Sequence, residues 1–563
     1  MTEININLIN EIVNEMNESN ESNELSDETE LIETKELNDT EICEKPFQMP
    51  YENEEYTKYN PLHKELGITL TTNVKYEKRL TYNKYEIIDK NGERKECFKK
   101  FITLVDYVKF LIGKYKNDSI QVLPGTESIG LFQEYINSHN NYAYVDGFFY
   151  YLSSILLERG FVHGLDFYDS YICISNECEI DIVDDFEYLC DSNFFSENLN
   201  KHFYFKDENL GEFFNKKKPI VISESSDTIN FDFEELENDE NRTESESESE
   251  IDSSDLKQSE LELNIDEESI DNDDDSDIVG DTESEGDSES DGYETEDGSE
   301  SEDSRSEKEL EKLTLIIKKI PTQVVAIEKC EGTFDSLLEN NLLTIEELES
   351  AIFQIITILY VYQEVFDFTH NDLHTNNVMY IHTDEPFLYY TINDICYKIP
   401  TFNKTYKIID FGRSIYKVNN KLLCSDSFSE NGTAHTQYNF EPFYNKNKQT
   451  VLPNKSFDLC RLACSMIDFI IDDIKQIQKF REVPIYDLII SWLYDDKGIN
   501  VLYKNNGEER YPDFKLYKMI ARIVHNHVPE KQFGHSCFNK YKTLEKLENS
   551  INVDKIIKTP VHL

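Results

Sequence analysis

Apolar and polar positions alternate with a period of two in the early part of the chain. Gly67–Thr72, Tyr82–Asp89 and Lys95–Leu104 read as strands, and Asn91-Gly92 reads as a hairpin turn between the last two. From Tyr142 to Leu157 the residues are mostly apolar and aromatic, and Glu158-Arg159-Gly160 closes the run, which predicts a buried helix. Phe161–Ile174, Leu313–Lys319 and Gln323–Ile327 read as further strands. Thr344, with Glu347 three residues on, carries the signature of a helix start, and the helix is predicted to run to about Phe366. Short strands follow at Leu388–Thr391, Tyr397–Ile399 and Tyr406–Ile409. Helices are predicted from Ser456 and over Phe514–Val528.

Two stretches lack this patterning. Residues 1–48 are polar and acidic; Ile4–Met16 is only loosely helical in spacing, so a tail without fixed structure is expected. Residues 223–311 are of low complexity, with runs such as T-E-S-E-S-E-S-E, and like charges this dense cannot bury a core. Charge divides the chain the same way. Of a net charge of −58 over 563 residues, residues 231–303 carry −32 (34 acidic, 2 basic) and the first 60 carry −14. Such segregation argues for a tail and an insert, excludes nucleic-acid binding through bulk charge, and suits a basic protein partner at the insert. Asp271–Asp277 starts like a calcium loop, but Ser276 stands where glycine is required and Thr282 where glutamate is.

The eleven cysteines are scattered and read as reduced thiols of an intracellular protein. The N-terminus lacks the basic and apolar regions of a signal peptide. The apolar runs fall short of the roughly 18–20 residues of a membrane span. A soluble monomer without membrane attachment is expected.

The chemistry concentrates between Phe368 and Gly412. Phe368–Tyr380 reads F-T-H-N-D-L-H-T-N-N-V-M-Y, and Lys407–Gly412 reads K-I-I-D-F-G. His370, Asp372, Leu373 and Asn377 resemble the H-R-D-L-x-x-x-N catalytic loop of protein kinases, and Asp410-Phe411-Gly412 resembles their D-F-G. Phosphoryl transfer needs positioning and charge neutralisation. By this resemblance Asp372 is the base that accepts the proton of the attacking hydroxyl, and Asn377 and Asp410 offer oxygens to magnesium. The third strand should present a lysine to the phosphates of ATP. Alternation places Phe98 and Lys100 on one face and Cys97, Lys99 and Phe101 on the other, which leaves Lys99 and Lys100 both open; Lys100 is favoured. The buried helix should supply the lysine's partner, from Asp146 or Glu158, with Asp146 favoured. Glu328–Cys330 resembles a hinge whose backbone groups face adenine, with Ile327 behind. Asp458 would brace the catalytic loop through backbone hydrogen bonds.

Residues 60–222 and 312–540 thus resemble the protein-kinase superfamily. Phrases such as Lys99-Lys-Phe-Ile-Thr-Leu, Gly147-Phe-Phe-Tyr-Tyr-Leu and Ser456-Phe-Asp-Leu-Cys-Arg-Leu-Ala look like the divergent serine/threonine-kinase-like proteins of giant DNA viruses. The resemblance implies an α+β, bilobal fold. An acidic tail (1–58) precedes the first part of a β-rich N-lobe (59–222). An acidic insert (223–312) separates this from the end of the N-lobe and hinge (313–335), and an α-helical C-lobe (336–563) follows. It further implies ATP, Mg²⁺ or Mn²⁺, transfer to Ser/Thr hydroxyls of a protein substrate, and a place in host cytoplasm or virion. Three departures stand out. Thr71–Lys84 has no glycine where a G-x-G-x-x-G loop is expected. Asn371 replaces an arginine, which implies independence from activation-segment phosphorylation. His374 replaces a lysine. Two other readings follow from these: a pseudokinase scaffold that binds basic partners through its insert, and a small-molecule phosphotransferase, whose loops resemble H-x-D-L-H-x-x-N. The D-F-G keeps a protein substrate ahead.

Overall fold

The computed structural model describes residues 55–70, 74–115, 120–125, 131–183, 185–207, 313–471, 474–545, 550–561 and 563. The tail up to residue 54, the acidic segment 223–312, and with them the Ile4–Met16 and Asp271–Asp277 stretches, lie outside the described residues. What is described belongs to one compact unit, assembled from the chain on both sides of residues 219–305.

It is a mixed α/β structure with several antiparallel sheets. The first half holds β1 (Tyr56–Thr57), β2 (Lys75–Arg79), β3 (Lys84–Ile88), β4 (Arg94–Thr103), β5 (Phe167–Ser175), β6 (Cys178–Asp181), β7 (Phe203–Phe205), β8 (Thr314–Ile317) and β9 (Ile320–Glu328). Six of these form one antiparallel sheet in the order β1-β5-β9-β4-β3-β2. The eight buried residues that open β9 fit it for the interior position between β5 and β4. A second sheet, β6-β8-β7, was not anticipated from the sequence; its middle strand β8 joins β9 through Lys318-Lys319, with Lys319 in the left-handed region at φ 56°.

Helix α1 (Tyr142–Glu158) packs on β5 and β9. It comes close because residue 147 is glycine: a Cβ there would lie 1.9 Å from Gln323 Nε2 and 3.0 Å from Val325 Cγ2. Helix α2 (Ile345–Phe366) starts with both hydrogen bonds of the Thr344/Glu347 capping box and is buried on nearly all faces, as suits a central core helix. Helices α3 (Phe457–Ile470) and α4 (Phe514–Ile523) pack together.

Several expectations are corrected. The described part of the expected first strand, Gly67–Leu70, is not strand: Pro61–Leu66 is a short helix, capped by the Asn60 side chain and ended by Gly67 at φ 68°, whose N–H bonds the open carbonyls. The strand lies later, at β2, so the glycine-free connection is the four-residue turn Leu80–Asn83. The expected strand 161–174 begins only at Phe167, because Phe161–Asp166 turns around the buried His163, whose ring bonds the Tyr406 carbonyl (2.9 Å) and the Tyr390 hydroxyl (2.8 Å). Strand β1 pairs with β5 inside the stretch assigned to the tail. The predicted helix 514–528 stops at Ile523.

The second half is not purely helical. It contains β10 (Gly332–Thr333), β11 (Val378–His382), β12 (Phe387–Ile392), β13 (Ile395–Pro400), β14 (Lys404–Ile408), β15 (Ile415–Val418), β16 (Lys421–Cys424), β17 (Lys542–Thr543) and β18 (Ile551–Asn552). β12 and β13 form a hairpin whose outer edges are taken by β17 and β18. This hairpin absorbs the long interval between Asp372 and Asp410 while β11 and β14 pair beside it. Among the described residues no helix is long and apolar enough to cross a membrane, and the described cysteines are free thiols.

Candidate functional site

Pleating of β4 turns Lys99 and Lys100 to opposite faces of the sheet. Lys99 is 1% exposed, and its amine lies over the rings of Tyr76 (4.3 Å), Tyr85 (4.4 Å) and Tyr171 (5.3 Å). Lys100 points the other way. Its Nζ stands 2.8 Å from Asp146 Oδ2 on α1 and 2.8 Å from Asp410 Oδ1. Glu158, the other candidate on α1, pairs instead with Lys90 at the surface.

Burial alone would pull the Lys100 ammonium down, but Asp146 and Asp410 hold it well above its ordinary value. Burial pushes the Asp146 carboxyl up. It works in the same direction on Asp410, where the Lys100 charge outweighs it and holds the carboxyl below the usual range. Asp146 Oδ1 also accepts the Phe411 N–H at 2.5 Å, and the Tyr150 hydroxyl accepts the Asp410 N–H at 3.0 Å. Asp410 itself sits in the left-handed region, φ 64°. A non-glycine residue held there by its neighbours marks a constrained turn.

The Phe368–Asn377 stretch is fixed from below. Both oxygens of Asp458, at the start of α3, accept backbone N–H groups at 2.9 Å, from His370 and Asn371. Burial pushes this carboxyl up to about 7. His370 is fully buried; its Nε2 bonds the Ile409 carbonyl (2.9 Å) and its Nδ1 accepts the Asp372 N–H (3.3 Å). Asn371, φ 66°, donates to the carbonyls of Thr369 and Arg413 and accepts the Tyr438 hydroxyl at 2.7 Å, so an internal amide stands where the resemblance expects a cationic side chain.

Asp372 is held at both oxygens. The Tyr517 hydroxyl on α4 donates to Oδ1 at 2.7 Å, and Arg413 Nη1 is 3.3 Å from Oδ2. Neither partner was anticipated. Arg413 directly follows the D-F-G, but nothing in the sequence ties Tyr517 to Asp372 across 145 positions. Asn377 spends its amide N–H groups on the Asp372 carbonyl and His374 Nε2, both at 3.0 Å. Its amide oxygen thus remains an acceptor. Burial lowers the His374 value, so this ring is a neutral acceptor rather than a cation.

Glu328 and Cys330 are placed differently from each other. The Glu328 side chain is 2.6 Å from Lys407 Nζ, a buried amine that also donates to the Gly164 carbonyl at 2.6 Å. The Glu328 N–H is used by Asp166 O at 2.9 Å, so that amide is not open toward a ligand. The Cys330 N–H makes no hydrogen bond among the described residues, while the next N–H, of Glu331, is tied to Tyr380 O. A cavity of about 940 Å³ opens beside the cluster. Arg413 and Asn376 form part of its wall with Thr333, Asp106, Asp181, Asp185, Asp335, Glu339 and Asp426.

No group of three or more His, Cys, Asp or Glu side chains among the described residues is arranged to hold a metal unaided. Asp410 and Asn377 nevertheless offer hard oxygen donors of the kind magnesium takes, with phosphate and water completing the shell. The chain matches no protein-family model, and none of the curated proteins matches it.

Proposed function

We propose that this chain is an ATP- and Mg²⁺-dependent protein kinase of bilobal type that phosphorylates Ser/Thr hydroxyls. The observation that carries this reading is the convergence of Lys100, Asp146 and Asp410, from a strand, a helix and a distant turn, next to the braced Asp372–Asn377 loop. An ammonium kept charged between two carboxylates suits a phosphate clamp: Asp146 orients it, and Asp410 is its neighbour until nucleotide enters. Asp410 and Asn377 would hold magnesium, which would supply charge neutralisation on the phosphoryl oxygens. Asp372 orients the acceptor hydroxyl and takes its proton as the oxygen attacks. His370 and Asp458 set the backbone under Asp372. The open Cys330 N–H is the adenine donor. The carboxylate-rich cavity beside Arg413 favours an acceptor carried on a basic peptide over an anionic metabolite.

The test is transfer from γ-labelled ATP with Mg²⁺ or Mn²⁺, using basic and acidic acceptor proteins. Wild type should label the basic acceptor, and Asp372→Asn and Asp410→Ala should each lose roughly a hundredfold or more. Label that persists in Asp410→Ala would refute the assignment. The scaffold reading has one observation in its favour: both oxygens of Asp372 are engaged by Tyr517 and Arg413. No transfer from folded wild type to any acceptor, together with no ATP-dependent thermal shift, would select it.

A further inference from the structure

On the face of the six-stranded sheet opposite α1 there is a second cavity, of about 470 Å³, whose lining includes none of Lys100, Asp146, Asp372, Asn377 and Asp410. Four turns meet around it: the β2–β3 tip, the β5–β6 turn, the turn before β7 and the turn between β8 and β9. Arg79, Lys201, Lys318, Lys319 and His202 line it against one carboxylate, Glu177. None of those four Arg and Lys side chains has a carboxylate partner among the described residues. That is selective in a chain with 113 acidic and 55 basic residues.

The arrangement is built rather than scattered. Arg79 is fixed by donating to the carbonyls of Thr81 (3.0 Å) and Tyr82 (3.4 Å). The Lys318 N–H bonds His202 O at 2.9 Å, which ties two of the cation-bearing turns together. Both turns bend through left-handed residues that are not glycine, Asn200 (φ 65°) and Lys319 (φ 56°). The wall adds a half-exposed aromatic pair, Tyr82 stacked on Phe101 with centroids 4.7 Å apart.

We infer that this cavity binds a small phosphate monoester carried on a flat ring. Arginine and lysine supply charge-assisted bonds to the dianion, and the aromatic wall supplies a surface for the ring. The volume is within the usual range of small-ligand sites. The inference does not depend on the chain transferring phosphate.

The probe is phenyl phosphate, titrated into the full-length protein by calorimetry, with phenol, inorganic phosphate, glycerol 3-phosphate and uridine monophosphate as parallel arms. Phenyl phosphate should saturate, bind more tightly than inorganic phosphate or glycerol 3-phosphate, and weaken as salt rises. The double variant Lys318→Glu/Lys319→Glu should weaken it at least tenfold, Lys201→Glu should do so independently, and Lys446→Glu, at an exposed lysine outside both sites, should leave it unchanged. Uridine monophosphate binding as tightly as phenyl phosphate would identify nucleotides as the source of the group, and tighter phenyl phosphate would identify a phosphorylated phenol. No saturable binding in any arm, binding that ignores both charge reversals, or binding weakened as much by Lys446→Glu would each overturn the inference.

Discussion

Lys99 and Lys100 are neighbours with opposite fates. One is enclosed by three tyrosine rings, and the other is clamped between two carboxylates. The period of two in β4 shows that they must diverge, but not which faces the chemistry. That is decided by Asp146 and Asp410, 46 and 310 positions away. Asp372 and Asn377 were legible because they stand five positions apart in one compact motif, and Asp410 because it opens a compact motif of its own. Tyr517 and the Lys407–Glu328 pair were not, since long-range contacts leave no local pattern. Asp458 yields a sharp expectation at this scale. Its two oxygens each receive a backbone N–H, and an asparagine would turn an NH₂ toward one of them. Asp458→Asn, measured at pH 8 by urea unfolding followed on the single, buried Trp492, is expected to lose about 1–3 kcal/mol. An unchanged midpoint would mean that the brace contributes nothing.

Among the elements, α2 and its capping box, α1, and the β3–β4 hairpin could be read from periodicity, because each is long or carries a specific end signal. The turn from α1 to β5 could not. Its residues look strand-like because they are apolar, yet they are apolar in order to fill the space around His163. Gly164 in this turn has a defined job: its carbonyl accepts the buried Lys407 amine, and a Cβ would lie 2.4 Å from the Ser153 carbonyl oxygen and 3.0 Å from Leu157 N. Backbone atoms cannot swing aside as a side-chain tip can. Gly164→Ala is therefore expected to cost about 1–3 kcal/mol in chemical denaturation, in spite of its small size. A variant as stable as the parent would show that this turn has slack.

Across the whole molecule the sequence separates patterned from unpatterned chain, because charge density and hydrophobic periodicity are both local properties. Of the β6-β8-β7 sheet only the middle strand was legible, as Leu313–Lys319; β6 and β7 are short and lie across a long interruption in the sequence from it. Global stability should also carry an unusual pH signature. Asp426 accepts the Tyr142 N–H at 2.8 Å, and burial pushes its carboxyl from 3.8 up to about 7. Between those values the folded chain keeps a proton that the unfolded chain sheds. The stability from this group is therefore complete below about pH 4 and is lost as pH rises through 7. Compared with Asp426→Asn, which does not titrate, the parent should lose stability steadily from about pH 5 to about pH 7.5 in paired urea curves. A constant difference between the two would remove the assignment.

The pairing of β7 with β8 has a consequence for how such a chain changes over generations. Phe205 lies opposite Leu315, so two residues far apart in the chain are held side by side on adjacent strands. The fold specifies only that these two ends meet. A change of length between residues 207 and 313 therefore leaves this pairing intact as long as its two ends still meet, and the register of β7 on β8 carries no record of how much chain lies between them.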